Sequence, residues 1–390
     1  MNSNKDSFDQ TFLSKKRLTI CIISPNFKEP SAWMISAYKT AMLLKEKYNV
    51  VVLTTQTKDS KEFEIIDGVK IHRMPCHYFS DPINMAYVPR LFKNCKEIIE
   101  KYDPDVFIVN KYLFHTSLCA FYLKKLDKKV FLQTDTFIGM IWFHPNWIVN
   151  FLTKTYTKTI GKIMFNKVDK VILLHDGLIE HAKKLGIKRF EVIYTPQDIG
   201  EMIKTTPAKD IINLKKGKIS ITYIGRLDKI KGYEIAFEVF EKLEKKYPRK
   251  YFFFAVVGDK YPELREKFAK KYPFIKFFGY RKDAINCIKA ADIVMQPSYA
   301  EGLHNVIVEA MAVGTLVLST PTGALPYFAK NMKEAVFIEI NSDDIVEKVE
   351  KLTEKQRKAI TTNALKTVKI KFDKKKILES YVDLIEKSDK

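Results

Sequence analysis

Short apolar runs alternate with longer amphipathic stretches along the chain from Arg17 onward. This alternation is typical of parallel strands whose connecting helices cover both faces of a sheet. In the first half the predicted strands are residues 18–24, 50–54, 106–109, 130–133 and 170–174. In the second half they are residues 219–224, 251–257, 275–278, 293–296 and 316–319. The pattern predicts an α/β protein with two doubly wound, Rossmann-like sheets.

Apolar residues at helical spacing mark the segments between these strands. The predicted helices include residues 36–47, 90–102 and 176–185, with Gly186 as a C-cap of the last one. A final helix is predicted over residues 373–385. Its apolar positions are Ile377, Leu378, Tyr381, Val382 and Ile385. From the residues alone, this helix can pack on either half of the chain.

The length of 390 residues exceeds what one hydrophobic core usually serves. Residues 194–218 hold two prolines, polar side chains and no long apolar run, which is typical of a connection between domains. We predict an N-terminal domain over residues 1–200, a C-terminal domain over 201–372 and a terminal helix over 373–390. Ligands of open parallel sheets lie beyond the carboxyl ends of the strands, so two facing sheets predict a ligand cleft between them.

Basic residues outnumber acidic ones by 67 to 46, which gives a formal net charge of +21. An excess of this size favours polyanionic partners such as phosphorylated substrates, anionic membranes or nucleic acid. Much of it is dispersed in lysine pairs, so a solvated basic surface explains it as well.

Cysteine and histidine usage gives no sign of a disulfide framework or a metal site. The five cysteines are scattered without a C-x-x-C motif, and the seven histidines show no ligand spacing. Residues 1–17 lack the apolar core of a signal peptide, and no uninterrupted apolar run of about eighteen residues follows. We expect a cytoplasmic protein that is soluble or peripheral on the cytoplasmic face of a membrane.

A basic loop flanked by Gly225 and Gly232 follows the predicted strand 219–224. Arg226 can fork onto phosphate oxygens, and Lys231 supplies a second positive charge. The glycines allow the backbone to approach a diphosphate closely. A solvated basic turn would have the same composition, so this loop alone does not decide its role.

Two carboxylates flank the start of a short apolar helix in residues 300–314. Asn305 is its predicted N-cap and Gly314 its predicted C-cap. Glu309 lies within the apolar helix, where a carboxylate is costly unless hydroxyls such as those of a ribose donate to it. Glu301 lies just before the helix, where it can accept hydrogen bonds from the hydroxyls of a sugar ring.

The amino end of this helix predicts an anion site. Its first backbone amides and the positive end of its dipole suit a diphosphate. The residues predicted to line this anion site are Gly302, Leu303, His304, Asn305 and Val306.

Both motifs closely resemble the C-terminal donor domain of glycosyltransferase family four, whose retaining enzymes carry E-x7-E and a G-R-x-x-x-x-K-G loop. The resemblance covers residues 219–328 closely and the rest of the chain more loosely. It implies the GT-B fold, in which two Rossmann-like domains face each other across a cleft and the terminal helix crosses back to the first domain.

The same resemblance implies roles for the site residues. Arg226 and Lys231 would bind the donor phosphates and stabilise the departing nucleoside diphosphate. Glu301 would orient the transferred sugar, and Glu309 would hold the ribose. Residues 321–324 resemble the glycine-rich turn near the donor sugar, with Ala324 in place of its second glycine.

The first half departs from the family pattern. Residues 25–33 contain no glycine where many relatives have a Gly-Gly loop, and Thr134 and Asp135 stand where relatives often have a His-Asp pair. Asp135 follows a predicted strand at its carboxyl end, so it is the predicted acceptor-side catalytic residue. A structural N-cap is the alternative for Asp135.

Residues 137–152 are unusually apolar, contain Trp142 and Trp147, and precede the lysines at 154, 158, 162 and 167. Aromatic residues beside cations can bind an anionic lipid interface or the chain of a lipid acceptor. A buried helix and loop of the first domain is an equal alternative.

The predicted function is retaining transfer of a hexose from UDP- or GDP-hexose to a lipid-linked or other glycan acceptor, without a cofactor or metal ion. A small soluble sugar acceptor is the second interpretation. A basic nucleic-acid-binding protein is the alternative from another class. Net charge is its only support, since no RNA motif or recognition helix stands out, and we expect no nucleic-acid partner.

Overall fold

The computed structural model describes residues 17–27, 35–57, 60–79, 85–141, 143, 146–248, 251–258 and 262–387. The strands of the first half are β1 Thr19–Ser24, β2 Asn49–Thr55, β3 Phe63–Ile66, β4 Val69–Met74, β5 His77–Phe79, β6 Met85–Tyr87, β7 Val106–Asn110, β8 Lys129–Thr134, β9 Lys170–Leu173 and β10 Phe190–Val192. Those of the second half are β11 Ile219–Ile224, β12 Phe252–Val257, β13 Ile275–Gly279, β14 Ile293–Gln296, β15 Leu316–Ser319 and β16 Val336–Phe337.

Helices connect most of these strands. The α-helices are α1 Ile35–Leu44, α2 Leu91–Tyr102, α3 Cys119–Lys125, α4 Trp147–Tyr156, α5 Lys162–Lys167, α6 Ile179–Lys184, α7 Ile199–Lys204, α8 Lys209–Lys215, α9 Tyr233–Lys246, α10 Pro262–Lys271, α11 Ala284–Ala290, α12 Asn305–Val313, α13 Leu325–Phe328, α14 Ser342–Lys351, α15 Glu354–Lys371 and α16 Lys374–Lys387. A π-helical turn, Thr157–Gly161, joins α4 to α5.

Two separate sheets confirm the predicted α/β architecture. The first has the order β10-β9-β8-β7-β1-β2-β4-β3, and every pair is parallel except the antiparallel β3–β4. The second has the order β13-β12-β11-β14-β15-β16 and is wholly parallel. In each sheet the chain starts near the centre and winds outward in both directions, as in doubly wound folds.

All ten predicted strands are present, with ends that differ by no more than a residue or so. The sequence pattern missed β3, β4, β5, β6, β10 and β16. In β4, buried and more exposed residues alternate over most of its length. The other five have at most four residues each, and β3, β5 and β10 have no buried residue. β3 and β10 lie at the edges of the first sheet, and β5 pairs only with β6. Edge strands of this kind lack the continuous apolar run that marks a central parallel strand.

Two predicted helices differ from the structure. The first ends at Leu44 rather than at residue 47, and the helix predicted over 176–185 begins as a 3₁₀ turn before α6. Leu185 caps α6, and Gly186 follows it with φ +70°, the left-handed conformation that glycine adopts easily.

The last helix returns to the first half of the chain. Helix α15 packs against α12 and β15, whereas α16 packs against α1. The buried Tyr381 hydroxyl donates to Gln133 Oε1 over 2.9 Å, and the Tyr48 hydroxyl donates to Glu386 Oε1 over 2.9 Å. The segment of α15 and α16 therefore joins the two halves of the chain a second time.

Candidate active site

Two glycines shape the basic loop that follows β11. A Cβ atom on Gly232, which has φ +69°, would lie 1.9 Å from the carbonyl oxygen of Pro297. Only glycine fits this contact, which holds the loop against the segment after β14. The loop turns away from β11 at Gly225, whose amide donates to the Val257 carbonyl over 2.9 Å. The carboxyl ends of β11, β12 and β14 therefore meet at this loop.

Lys231 and Glu301 meet across these two loops. Lys231 Nζ lies 2.7 Å from Glu301 Oε1 and 2.6 Å from Oε2. The Glu301 carboxylate also accepts from Ser298 Oγ over 2.8 Å and lies 3.0 Å from His304 Nε2. The two sequence motifs thus form one cluster.

The ionised form of Glu301 is strongly favoured. Burial, the largest influence, acts to raise the pKa of Glu301, but His304 and Lys231 outweigh it and hold the pKa well below its usual value. A buried carboxylate that stays charged and accepts several hydrogen bonds is a rigid acceptor for hydroxyl groups.

Arg226 lies in the same loop, at its partly exposed rim. Its Nη1 is 3.7 Å from Asp228 Oδ2, and its carbonyl oxygen accepts from the buried Tyr223 hydroxyl over 2.7 Å. The guanidinium is 26 % exposed, so it can reach a ligand in the cleft.

Helix α12 begins differently from the sequence prediction. Asn305 was expected to be the N-cap, but it is the first helical residue, and the cap is His304 with φ 60°. A left-handed conformation is uncommon outside glycine and is often kept at functional sites. The Asn305 side chain instead accepts from Gln197 Nε2 over 2.8 Å, which ties the helix start to the segment before α7. Gly314 ends the helix in a left-handed conformation, as predicted.

The amino end of α12 presents unused donors. Within the described part of the chain, the amides of residues 303–306 donate to no protein acceptor. These amides lie near the Lys231–Glu301 pair, because the side chain of His304 contacts the Glu301 carboxylate. Such amides and the positive helix end suit an anionic group such as a phosphate.

A second glycine contact holds the loop of Glu301 in place. A Cβ atom on Gly323, which has φ +59°, would lie 2.2 Å from the carbonyl oxygen of Gly302, and the Ala324 amide donates to that oxygen over 2.8 Å. Ala324 itself has φ −78° and is fully buried. The backbone of this residue therefore does not require a glycine.

Glu309 lies one to two turns into α12, among the buried residues that the apolar pattern predicted. Burial raises the pKa of Glu309, and the nearby ammonium of Lys39 opposes that shift. Lys39 belongs to α1 and donates a hydrogen bond to Gln197 Oε1. Contacts from Lys39 through Gln197 to Asn305 therefore link α1, in the first half of the chain, to α12 in the second half.

Asp135 is the N-cap of no helix among the described residues, so the alternative of a structural N-cap is wrong. Its carboxylate forms an ion pair with Lys111. Burial acts to raise the pKa of Asp135, but the ammonium of Lys111 outweighs it and lowers the pKa. A Cβ atom on Gly302 would lie 3.2 Å from the Asp135 carbonyl oxygen, so Asp135 borders the loop that carries Glu301. The structure therefore brings Asp135, Gly302 and the Glu301 cluster to one place.

His175 completes the side of the cleft that Asp135 occupies. Its Nε2 lies 3.0 Å from the Asp135 carbonyl oxygen, which can only accept, so Nε2 carries the proton. Burial lowers the pKa of His175, which keeps the ring neutral near pH 7. Its buried Nδ1 finds no hydrogen-bond partner among the described residues.

Sequence reasoning missed Lys111, His175, Lys39 and Gln197. Lys111 follows β7 directly and has φ +70°, and His175 comes two residues after β9. Both positions lie at the carboxyl ends of predicted strands, which is the signal that selected Asp135. Lys39 and Gln197 carry no comparable signal, because their roles depend on how the two halves meet.

Two family models match consecutive parts of the chain. The model described as "Glycosyltransferase Family 4" matches residues 37–201, and the one described as "Glycosyl transferases group 1" matches residues 205–367. The chain belongs to glycosyltransferase family four. The fold is the GT-B fold of that family, and family membership favours an enzyme over the nucleic-acid-binding alternative.

Individual relatives agree with this assignment. The transferase is 26 % identical to an uncharacterized glycosyltransferase of Methanocaldococcus jannaschii, over 88 % of this chain and 91 % of the relative. It is 23 % identical to the lipopolysaccharide core biosynthesis glycosyltransferase LpsE of Rhizobium meliloti, over 57 % of this chain and 65 % of LpsE. It superposes on HepE of Anabaena, solved in complex with UDP-glucose, with a TM-score of 0.71 and 15 % identity, covering 95 % of this chain and 100 % of HepE.

No group of three or more His, Cys, Asp or Glu side chains in the described parts of this transferase is arranged to hold a metal ion. Nor does any helix in those parts have both the length and the hydropathy needed to cross a membrane.

Proposed function

We propose that this transferase moves a hexose from UDP- or GDP-hexose to a glycan acceptor with retention of the anomeric configuration. The observation that carries the proposal is the Lys231–Glu301–His304 cluster beside the unused amides of α12. Cations and amides suit the diphosphate, and a fixed carboxylate suits the sugar hydroxyls. Glu309, farther along the same helix, suits the ribose.

In this mechanism, stabilisation of the leaving group lowers the activation barrier. As the bond between the sugar and the phosphate oxygen breaks, negative charge grows on the nucleoside diphosphate. Arg226, Lys231 and the α12 amides stabilise that charge in a preorganised site. The acceptor hydroxyl forms the new glycosidic bond on the face that the diphosphate leaves, and its proton passes to the departing phosphate oxygen.

Fixed protein cations at the diphosphate make a divalent metal ion unnecessary in this proposal. Transfer should therefore persist after dialysis against a chelator. Loss of activity that returned only with added Mg²⁺ or Mn²⁺ would contradict the metal-independent mechanism.

The acceptor enters on the side of Asp135 and Lys111 in this proposal. Asp135 is held ionised by Lys111, so it can accept a hydrogen bond from the attacking hydroxyl and orient it. A lipid-linked glycan is the acceptor class we favour, since LpsE acts in lipopolysaccharide core biosynthesis.

A panel of nucleotide sugars tests the donor side. We expect UDP or GDP to raise the melting temperature by mass action, and the matching hexose donor to be slowly hydrolysed without acceptor. The anomeric configuration of the product, read by NMR, tests retention. An inverted product would refute the retaining mechanism, and the absence of hydrolysis or protection with every donor would refute the proposed function.

A further inference from the structure

Apolar side chains cover the outer side of helix α4. Trp147 is 76 % exposed, Phe151 62 % and Leu152 59 %, and no residue of α4 is buried. The exposed surface continues through Ile160 and Ile163. The alternative of a buried helix is therefore wrong for α4. Trp142 lies outside the described residues. Contiguous apolar surface of this kind usually marks an interaction site.

Lysines accompany this apolar surface without nearby acids. Lys154, Lys158, Lys162 and Lys167 are exposed, and none of the four pairs with a carboxylate in the described parts of the chain. Between Asp135 and Asp169 the sequence has no Asp or Glu at all. The segment thus combines exposed aromatic and aliphatic groups with uncompensated positive charge. We call residues 147–167 the α4–α5 surface.

We propose that the α4–α5 surface docks on an anionic lipid bilayer. Tryptophan and phenylalanine can enter the headgroup region, while lysines beside them bind anionic headgroups. A second copy of this chain suits the surface less well. A two-fold interface places the same patch on both partners, so lysines would face lysines with no acid in the segment to neutralise them.

A set of buried hydrogen bonds connects this surface to the acceptor side of the cleft. The Tyr112 hydroxyl accepts from the Ile138 amide over 2.8 Å and lies 2.8 Å from Thr157 Oγ1, which in turn donates to the Ile138 carbonyl over 2.9 Å. Ile138 is three residues after Asp135. Gly139 has φ +76°, and a Cβ there would lie 2.5 Å from Lys154 Cβ, so this turn packs directly on α4.

Docking through this surface would hold the acceptor side close to the lipid. A lipid-linked glycan could then reach Asp135 without leaving the membrane. This consequence rests on the proposed transferase function, whereas the docking itself does not.

Co-sedimentation with vesicles tests the docking. The full chain, without donor, is mixed with vesicles of phosphatidylcholine and phosphatidylglycerol at about 70:30, or with pure phosphatidylcholine. We expect binding to the anionic vesicles and a marked loss in high salt. Replacement of Trp147, Phe151 and Leu152 together by serine should lower the partition coefficient at least about tenfold. Replacement of Lys154, Lys158 and Lys162 by glutamate should do the same.

Matched controls lie elsewhere on the surface. Ile65, Phe79 and Ile370 are similarly exposed apolar residues for replacement by serine, and Lys358, Lys366 and Lys369 on α15 match the charge change. Both control variants should bind vesicles as the wild type does. All these side chains are exposed, so folding should be retained, as circular dichroism would verify.

Three results would overturn the proposal. They are no binding of the wild type to anionic vesicles, equal losses in the control variants, or a stable dimer in solution that the serine variant abolishes. Hydrolysis of the donor in solution should be the same in wild type and surface variants. Vesicle binding without any use of nucleotide sugars would leave the docking intact and refute only the transferase proposal.

Discussion

Lys231 and Glu301 are 70 positions apart, yet Lys231 Nζ contacts both oxygens of the Glu301 carboxylate, at 2.7 Å and 2.6 Å. The carboxylate is 8 % exposed and the lysine 25 %. The pair joins the loop after β11 to the loop before α12. Two residues with separate expected roles, one at the phosphate and one at the sugar, are therefore fixed relative to each other before a ligand binds.

Replacement of Lys231 by alanine should lower kcat by at least about a hundredfold, since removal of one donor from a preorganised site typically costs that much. Lys229→Ala is the matched control, because Lys229 lies in the same loop but is 80 % exposed. Steady-state kinetics with the donor found in the panel would measure both. Similar kcat values for the two variants would remove Lys231 from the mechanism.

The stability that Glu301 contributes should depend on pH. Its pKa is lowered in the folded chain, so the contribution is complete above the pKa of the unfolded chain and is lost as the pH falls through the folded value. The difference in unfolding free energy between wild type and Glu301→Gln should therefore be constant near pH 6 to 7 and shrink below about pH 4. Urea unfolding at several pH values measures it. A difference that grew in acid would contradict the assignment.

Asp135→Asn should lower kcat for transfer by about a hundredfold, because the neutral amide orients the attacking hydroxyl less well, and should leave nucleotide protection unchanged.

Lys111→Met should act through Asp135. Without the ammonium, burial raises the pKa of Asp135, so transfer should fall on the acid side of the pH profile and recover at higher pH.

Lys124→Met is a control for the lysine change. Lys124 is similarly enclosed and pairs with Asp169 away from the cleft, at 2.9 Å. It should show the wild-type pH profile. A Lys111→Met profile that coincided with that of Lys124→Met would show that Lys111 does not act on Asp135.

Gly323→Ala should reduce both stability and donor binding. The added Cβ would lie 2.2 Å from the Gly302 carbonyl oxygen, and relief of that contact must move the loop of Glu301. Gly314→Ala is the control, since Gly314 also has positive φ, +81°, but a Cβ there meets nothing within 4 Å. The control should cost about 1 kcal/mol for the left-handed backbone and keep its affinity for the donor. Thermal unfolding with and without nucleotide measures both effects.

The sequence alone predicted those features that depend on residues close together in the chain. Buried parallel strands such as β11 and β14 have continuous apolar runs, so their bounds were predicted to the residue. The motifs around Lys231 and Glu301 were also visible, because each lies in one loop after one strand. The prediction failed at Asn305, whose residue type suits a cap while its side chain bonds to the distant Gln197.

What could not be predicted depends on contacts between the two halves. The ammonium of Lys39 acts on Glu309, and Lys39 also bonds to Gln197, but nothing near Lys39 in sequence indicates this. Exposure of α4 was equally hidden. An apolar helix has the same composition whether a core or a membrane covers it, and only the packing of its neighbours decides between them.

The return of α16 to the first half has a mechanical consequence. The chain passes between the two halves twice, once through the connection after β10 and once between α15 and α16. At the second crossing the buried Phe372 packs edge-on against Tyr194, close to the first crossing, and against Phe328. Two hinges placed side by side permit rotation about the line that joins them and resist twisting. Opening and closing of the cleft should therefore be a rotation of one half about a single axis that passes close to Phe372.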